Sequence, residues 1–534
     1  LPMSNFSDFW GATNKKLKAN GLKLKAKEWG SLISTKSKPV FSATGGFFCR
    51  LLRLAKILNR TDKIALLILL MILLGLLGYK FNRDWLSKTK KIPAVGGTYQ
   101  EILIGEARYL NPILAKSDTD KTINRLIYSG LCKIDKNGQL APDLAKNWEI
   151  TPDGRTYTFH LRSEIFWHDG QKFSSADVAA TVEAIKDQNI KSPYFEAWKD
   201  VAVEAPNEET VVFKLKDSYG PFIFNTLVGI IPAHLDPAAI SSSPVGTGPY
   251  RFSKVVSGKN SKIKEVILAR SDSYFDPKPY IKEVDFQIVD DENQAKSNFG
   301  SWSVQTVAGV RIEKEGVNNY SFPTSRYFGL IFNLRDEKLK DETLRKKISV
   351  SAKASLDGKA GEKFDPALEL KMLVLDKPLS VSEAQSIKEK FSQQGINVVI
   401  DKKNAIDYQN LLEKRNFVSV LYGFDSGYDR DPYTFWHSSQ VASGSNVSGF
   451  SDKPADILLE DARMTVDTTI RNQKYDQFLA ILDSKAAVIF FPNQTFVISV
   501  KSDVLGIETI KGSEPRDHLN SFVDWYIKTK RVKP

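Results

Sequence analysis

Two clusters of polar residues have the types and spacing that acid, base or nucleophilic chemistry requires. His168 stands beside Asp169, and a histidine next to a carboxylate can transfer protons. His437 precedes Ser438 and Ser439, which could supply a nucleophile beside a base. Neighbours in sequence rarely face each other productively, however, and no G-x-S-x-G turn surrounds either serine. A hydrolase is therefore the most distant of the functions considered.

The segment around the first histidine fits a turn better than a catalytic site. The HDG tripeptide at 168–170 is typical of a turn that leads into a helix, with Trp167 packed beneath it. The glycines of VGTGPY at 245–250 do not form a phosphate-binding loop, because Pro249 removes a backbone donor where a helix should begin. We expect a protein that is not an enzyme and that has no cofactor.

The cysteine and histidine content gives no sign of a metal or disulfide framework. Cys49 and Cys132 lie on opposite sides of the one strongly hydrophobic segment, which argues against a bridge between them. The five histidines are scattered, with no CxxC or HxxxH spacing. The sequence therefore predicts no metal site.

The positive charge is concentrated near the N-terminus. Residues 1–63 contribute +10 and residues 64–94 another +4 of the total net charge of +12, which leaves the remaining residues at −2. A nucleic-acid-binding protein needs a basic face on its folded body. We therefore expect no nucleic-acid partner, and we interpret the basic tail as a disordered, solvated extension.

One apolar segment is long enough to suggest a membrane anchor. The residues from Ile64 to Tyr79 carry no charge and would span roughly 24 Å as a helix, close to a hydrocarbon core of about 30 Å. Small residues that would direct signal-peptide cleavage do not follow it. We predict a basic cytoplasmic tail at 1–63, an uncleaved single-pass anchor at 64–80 and a linker at 81–96, with a cleaved signal peptide as the alternative.

The long C-terminal part shows alternating strand and helix signals, which indicate a mixed α/β fold. Residues 148–162 predict a hairpin with one buried face, around a Pro-Asp-Gly turn. Ser174 and Asp177 have capping-box spacing and predict the start of a helix. Residues 250–269 predict a second hairpin.

Collinear motifs cover nearly all of residues 97–534. They read YLNPILA (109–115), LAPDLAKNWEITPDGRTYTFHLR (140–162), FWHDGQKFSSADV (166–178), VGTGPYRF (245–252), YFDPKPYIKEVDFQIV (274–289), FNLRDEKLKDETLRKKIS (332–349), GYDRDPYTFWHSSQVASGSNVSGFSDKPADILLEDAR (427–463) and VDWYIKTKR (523–531). In this order they resemble the bacterial extracellular solute-binding proteins of family 5, which serve peptide and nickel ABC importers.

The resemblance implies a two-lobed, type II periplasmic-binding-protein fold after one transmembrane helix. Lobe one would comprise 97–325 and 490–534, and lobe two, which is shorter than usual, 326–489. The two lobes would close on a peptide or comparable small solute. The partners would be the permease and ATPase subunits of an importer at the cytoplasmic membrane, with the large domain outside the cytoplasm. The shortened lobe leaves open a surface sensor or structural module that does not transport.

The resemblance also implies that a carboxylate in lobe two holds the amino group of a bound peptide. Asp425, Asp429 and Asp431 are the candidates, and Asp429 is the first choice. Tyr428 falls where many relatives place the acid if Pro432 is taken as the anchor point.

Two further residues of the same segment are candidate ligand contacts. Trp436 could stack on a peptide, with core packing as the alternative. Asn446 could hydrogen-bond the ligand or hold its own turn, and the turn is the favoured interpretation.

Overall fold

The computed structural model describes residues 59–258, 262–301, 304–359, 361 and 363–533. Most of the predicted basic tail, residues 1–58 with Cys49, lies outside this range. Among the described residues, the first helix and the large domain belong to two compact units that divide after Lys90. Each unit is described by itself.

The first unit contains a 28-residue helix, α1, from Arg60 to Ser87. It is exposed along its apolar length, and its most apolar window has a mean hydropathy of 2.5. Within the described part of the chain it is the one helix long and apolar enough to cross a membrane, although signal sequences share these features. The predicted linker at 81–96 contains the last turns of this helix and a strand at Lys90–Ala94.

The large domain alternates strands with helices, as the sequence predicts. The strands are β1 (Lys90–Ala94), β2 (Thr98–Ile104), β3 (Cys132–Ile134), β4 (Leu140–Pro142), β5 (Ala145–Ile150), β6 (Thr156–Leu161), β7 (Ala202–Asn207), β8 (Thr210–Lys214), β9 (Tyr250–Ser257), β10 (Ile263–Arg270), β11 (Glu283–Val289), β12 (Thr306–Ala308), β13 (Val317–Pro323), β14 (Arg326–Phe332), β15 (Leu368–Leu375), β16 (Ile396–Lys403), β17 (Ser419–Asp425), β18 (Val488–Phe490), β19 (Thr495–Lys501) and β20 (Lys528–Val532).

Along the sequence, most helices after α1 connect strands of the two large sheets. They are α2 (Asp118–Ile127), α3 (Ser175–Lys186), α4 (Phe195–Trp198), α5 (Glu292–Ser301), α6 (Glu342–Leu356), α7 (Pro378–Ser392), α8 (Ala405–Glu413), α9 (Tyr433–Trp436), α10 (Lys453–Met464) and α11 (Thr468–Ser484). Short 3₁₀ turns occupy Gly220–Leu227, Ser438–Gln440, Pro515–Leu519 and Phe522–Asp524.

Two sheets organise the domain into two lobes. The sheet of lobe one has seven strands in the order β13-β19-β12-β2-β11-β10-β9, and that of lobe two has five in the order β16-β15-β17-β14-β18. Both sheets are mixed: β2 is parallel to β11, for example, whereas β10 is antiparallel to it. The chain passes between the lobes twice, from β13 to β14 and from β18 to β19. The predicted two-lobed α/β fold is confirmed.

Each lobe has its own apolar interior. In lobe one the inward face of β6 contributes Tyr157, Phe159 and Leu161, all essentially unexposed. Alternation of buried and half-buried positions along this strand is the pattern that predicts a hairpin with one buried face, and β5 does pair antiparallel with β6. In lobe two, separate apolar clusters lie against the sheet, one of them around Met372 and the other around Phe424.

Local signals in the sequence also place elements of lobe one correctly. The helix α3 begins after Ser174, whose backbone N–H donates to the Asp177 carboxylate at 2.8 Å, as a capping box requires. The strands β9 and β10 form the predicted second hairpin. The predicted shortening of lobe two stays a prediction.

Candidate functional site

The loop that follows β17 carries most of the predicted site residues, and it begins at an ion pair between the lobes. Asp425 accepts hydrogen bonds from the Ser325 hydroxyl at 2.6 Å and from Arg326 Nε at 3.0 Å. The two terminal nitrogens of Arg326 donate to the carboxylate of Asp118, the first residue of α2 in lobe one, each at 2.6 Å. One guanidinium therefore joins an acid of each lobe.

The Asp425 carboxylate is held in its charged form by these contacts. Burial raises its pKa, but the hydrogen bonds from Ser325 and Arg326 outweigh burial and keep the pKa below its usual value. Asp425 is therefore an acceptor for Arg326 across the ordinary pH range.

Tyr428 extends from lobe two into lobe one. Its ring stacks on Phe224 at 6.1 Å between centroids, and its hydroxyl donates to Asp517 Oδ1 at 2.8 Å. The Arg516 guanidinium lies 5.9 Å from the ring centroid. Burial raises the pKa of Tyr428 well above its usual value, so the hydroxyl remains a donor at neutral pH. Three lobe-one side chains thus contact one residue of lobe two.

Asp429 is engaged within lobe two. The fully buried Arg471 donates from Nε to both carboxylate oxygens, at 3.1 and 2.9 Å, and the Tyr475 hydroxyl donates at 3.2 Å. Burial raises the pKa of Asp429 above its usual value, although the positive charge of Arg471 acts to lower it. In this conformation the first-choice anchor for a peptide amine is therefore paired with an arginine.

Asp431 is also paired with an arginine. Its Oδ2 accepts from Arg463 Nε at 2.7 Å, and its Oδ1 accepts from the Tyr433 backbone N–H at 3.0 Å. The Arg463 guanidinium lies 3.8 Å from the Tyr433 ring centroid and 5.4 Å from that of Tyr219 in lobe one. Asp431 therefore orients a cation that contacts both lobes.

Trp436 and Asn446 lie in the interior of lobe two. Trp436 stacks on Phe424 at 6.1 Å in the apolar cluster of this lobe. The Asn446 side chain donates to the carbonyls of Trp436, His437 and Phe450 and accepts from Ser448. The contacts match core packing for the first residue and a turn for the second.

A small polar cavity of about 50 Å³ lies where Tyr428 meets lobe one. One face of α2 forms part of its wall, and the segment that carries Arg516 and Asp517 forms another. Sequence reasoning missed these lobe-one residues, although the three- and four-residue spacing of polar positions along α2 was a usable signal. The lining residues are Pro112, Ala115, Lys121, Asn124, Arg125, Tyr128, Gly130, Cys132, Lys133, Ile134, Tyr194, Leu227, Val228, Gly229, Tyr428, Arg516 and Asp517.

A larger cavity of about 430 Å³ lies beside the two chain crossings between the lobes. Its wall is rich in aromatic side chains, including Tyr327, Tyr475, Phe490 and Phe491. Tyr428 lines this cavity as well as the small one. Tyr428 is therefore the residue that the walls of these two cavities share.

A buried ion pair supports the segment that carries Arg516 and Asp517. His518 and Glu101 are both fully buried, and their Nε2 and Oε1 atoms lie 2.7 Å apart. The other ring nitrogen of His518 lies 2.7 Å from the Pro515 carbonyl oxygen. Burial alone would lower the pKa of His518, but the Glu101 carboxylate raises it above its usual value.

The two candidate catalytic clusters have structural contacts. The ring nitrogens of His168 contact the carbonyl of Gly248, at 2.9 Å, and the backbone N–H of Gly246, and burial lowers the pKa of His168 to about 4. Asp169 contacts His234 instead, at 2.7 Å. The predicted turn fits this geometry.

The second cluster differs from expectation, because its histidine and serine do face each other. His437 Nδ1 lies 2.8 Å from Ser439 Oγ, and Nε2 lies 3.2 Å from Glu460 Oε1. The same Nδ1 accepts from the Ser439 backbone N–H at 3.1 Å, so the ring caps the 3₁₀ turn that follows. Ser439 is exposed and lines neither cavity described above. The arrangement thus has the contacts of a capped turn.

Comparisons with known proteins agree with this two-lobed geometry. Residues 139–352 match the family model "Bacterial extracellular solute-binding proteins, family 5 Middle". The oligopeptide-binding protein AppA of Bacillus subtilis is 22% identical over 508 residues, which cover 80% of this chain and 92% of AppA. The dipeptide-binding protein of Escherichia coli is 22% identical over 69% of this chain and 83% of its own length.

Solved structures share the fold. NikZ from Campylobacter jejuni in complex with Ni(L-His) has a TM-score of 0.64 at 23% identity, over 80% of this chain and 99% of NikZ. The substrate-binding protein CtaP from Listeria monocytogenes has a TM-score of 0.69 at 23% identity, over 81% and 99%. AppA in complex with a nonapeptide has a TM-score of 0.62 at 19% identity, over 82% and 100%.

The family-model match and the AppA relative, together with the two-lobed fold, indicate a solute-binding protein of the ABC-transporter type. The match of residues 139–352 to the family 5 model confirms the resemblance read from the motifs. The two curated relatives are named as an oligopeptide-binding and a dipeptide-binding protein.

The Asp429–Arg471 pair gives a first prediction. Asp429→Asn should lower the free energy of unfolding by about 3 kcal/mol or more, because it leaves a buried guanidinium without its counter-charge. Chemical denaturation of the full chain in detergent measures this loss. Asp476→Asn, at an exposed pair with Arg430, is the control and should cost about 1 kcal/mol or less. Unchanged stability with much weaker ligand binding would instead support Asp429 as the amine anchor.

The His518–Glu101 pair gives a second prediction. Because the folded-state pKa of His518 is raised, its stabilisation is fully present below about pH 6.5 and is lost as the pH rises through the folded value. The melting temperature of the wild type should therefore fall more steeply above pH 6.5 than that of His518→Gln. The partly exposed His160→Gln is the control and should follow the wild type. Parallel curves for all three proteins would contradict the assignment.

Proposed function

We propose that this chain is a membrane-anchored, extracytoplasmic receptor of an ABC importer. It binds a peptide or comparable small solute between its lobes and presents the closed form to separate permease and ATPase chains. The observation that carries this proposal is Tyr428, a lobe-two residue that closes a polar cavity built by lobe one. A ligand in that cavity would contact both lobes at once, which is how binding drives closure.

Further contacts support a cleft that can close. Ser218 of lobe one donates to the Met464 carbonyl of lobe two at 3.0 Å. Gly220, two residues on, lies so near lobe two that an added Cβ would overlap the Thr465 carbonyl oxygen. These contacts are polar and small, so they favour closure without making it irreversible.

The relatives support the choice of ligand. AppA was solved with a nonapeptide and NikZ with Ni(L-His), so the shared fold accommodates peptides and smaller complexes. No bond needs to be broken in such a protein, and binding would be reversible. We propose that Tyr428 contacts the ligand directly, whereas Asp425 acts through Arg326 on closure, and Asp429 and Asp431 shape the loop.

The anchor is the part of the proposal that depends on α1. Its length of about 42 Å exceeds a hydrocarbon core of about 30 Å, so it is long enough to cross a bilayer. We propose that it is retained, with the N-terminal tail in the cytoplasm and the large domain outside. The family description as extracellular supports this location.

The direct test is ligand binding by the full chain in detergent micelles or nanodiscs. Pools of dipeptides to octapeptides are added, thermal stabilisation is measured, and ligands retained after gel filtration are identified by mass spectrometry. We expect saturable stabilisation by recovered, uncleaved peptide. Recovery of cleaved product would indicate a hydrolase, and no stabilisation by any pool would support a sensor or structural role instead.

Closure gives a third prediction. Gly220→Ala should weaken the binding of any retained peptide tenfold or more, because its methyl group forces Thr465, and with it lobe two, away from lobe one. Isothermal titration calorimetry measures the change in Kd. The matched control is Gly300→Ala, where an added Cβ meets no atom within 4 Å, and its Kd should equal that of the wild type. Equal affinity of both variants would contradict ligand-driven closure.

The anchor gives a fourth prediction. The full chain should stay in the membrane fraction after sodium carbonate extraction, and its intact mass should include residues 64–80. A variant lacking residues 59–90 should be released from the membrane. A released wild-type protein whose mass begins after residue 80 would show that the segment is a cleaved signal peptide.

A further inference from the structure

The larger cavity beside the two chain crossings is lined by both lobes. Lobe two contributes Tyr327, Tyr475 and Phe490, and lobe one contributes Thr324 and Ser513. The volume of about 430 Å³ lies in the usual range for ligand pockets. A ligand held between the lobes can therefore place one of its side chains in this space.

The aromatic rings of the wall are held in place by their own packing. Tyr327 stacks on Phe424 at 5.2 Å between centroids, and Phe490 meets Tyr327 edge-on at 5.5 Å. Phe424 is buried and does not line the cavity, so it supports Tyr327 from behind the wall. An apolar side chain that enters the cavity thus meets preformed aromatic surfaces, and a further ring gains from them beyond the area it buries.

Two tyrosines of the wall use their hydroxyls elsewhere. Tyr428 donates to Asp517 at 2.8 Å, and Tyr475 donates to Asp429 at 3.2 Å. Neither of these carboxylates lines the cavity. The Tyr327 hydroxyl, by contrast, has no hydrogen-bond partner among the described residues. These tyrosines therefore present ring surfaces and one free hydroxyl.

Three aliphatic hydroxyls of the wall are engaged as well. Thr324 donates to the Gln494 carbonyl oxygen at 2.9 Å, and Ser325 donates to Asp425 at 2.6 Å. The Ser426 hydroxyl donates to the Ser325 carbonyl oxygen at 3.1 Å. A hydroxyl carries a single hydrogen, so these three groups have none left to donate to a ligand.

The charged groups around the cavity offer no free partner to a cationic side chain. Arg430 is the one charged residue in the described lining, and it lies 3.5 Å from Asp476, at an exposed pair outside the wall. The carboxylates behind the wall already accept from arginine, tyrosine or backbone donors, as described above. A lysine or arginine side chain would lose its hydration here without gaining a counter-charge, which is costly.

We propose that the larger cavity binds one uncharged aromatic or bulky aliphatic side chain of the bound peptide and selects among peptides by that residue. The ring surfaces favour such a side chain, and the engaged hydroxyls and the charges disfavour polar and cationic ones. The inference rests on the proposed function and adds the class of peptide that the receptor takes.

The test uses tetra-alanine as the host peptide and the full chain in detergent micelles. One alanine at a time is replaced by phenylalanine, tryptophan, leucine, serine or lysine, and Kd is measured by isothermal titration calorimetry. At one position the phenylalanine, tryptophan and leucine peptides should bind about 10- to 100-fold more tightly than tetra-alanine, the effect of burying one such side chain. The serine and lysine peptides should bind no more tightly than tetra-alanine at that position.

A variant that fills the cavity links this preference to the proposed site. Leu479 lines the cavity from α11, and Leu479→Trp places a larger ring there. This variant should bind the phenylalanine peptide and tetra-alanine with Kd values within about threefold of each other. The matched control is Leu379→Trp, at a residue of the same lobe that is 59% exposed, and it should keep the wild-type preference. Thermal unfolding checks that both variants fold, and the peptide series on the wild type is decisive without them.

Three results would overturn the inference and leave the receptor function intact. They are equal affinity for all peptides of the series, tightest binding of a lysine peptide, and a preference for phenylalanine that Leu479→Trp retains. Binding of no peptide in the series or in the mixed pools would instead count against the proposed function, and with it this inference.

Discussion

The contact between Tyr428 and lobe one is the constraint on which the site depends. Its side chain stacks on Phe224 and donates to Asp517, and Tyr428 lines both a small polar cavity and a larger aromatic one. Its partners belong to distant parts of the sequence, so the contact exists only when the two lobes meet. Arg326 also joins the two lobes, because it pairs with Asp118 at the start of α2 in lobe one and with Asp425 in lobe two. The contacts that bring the lobes together therefore also determine the shape of the site.

Two buried ion pairs fix the two sides of this contact. In lobe two, Asp429 and Arg471 hold the loop from which Tyr428 projects. In lobe one, His518 and Glu101 hold the short segment that presents Asp517. Charges buried this deeply cost free energy to desolvate, and they stabilise only because each has a close partner. These pairs position their segments so that Tyr428 and Asp517 lie within hydrogen-bond distance across the cleft.

The sequence predicted the fold well and the site only partly. Local patterns sufficed for β6 and for the start of α3, because alternation and capping are properties of neighbouring residues. The role of Asp429 as the anchor of a peptide amine stays a prediction, and its partner Arg471 lies 42 positions away, where no local signal indicates the pairing. The α2 residues of the cavity were missed although their spacing is a local signal, because only the folded chain brings them together with Tyr428, Arg516 and Asp517. Contacts between residues far apart in the sequence determine which polar side chains remain available to bind a ligand.

The central claim, that a ligand closes the two lobes around the Tyr428 contact, is tested most directly by an interlobe distance. Pairs of spin labels at the exposed positions Lys146 in lobe one and Glu389 in lobe two would report it in the full chain by pulsed electron paramagnetic resonance. With a saturating peptide we predict one narrow distance population, and without peptide an added population at longer distance. A distribution that a bound peptide leaves unchanged would contradict the account.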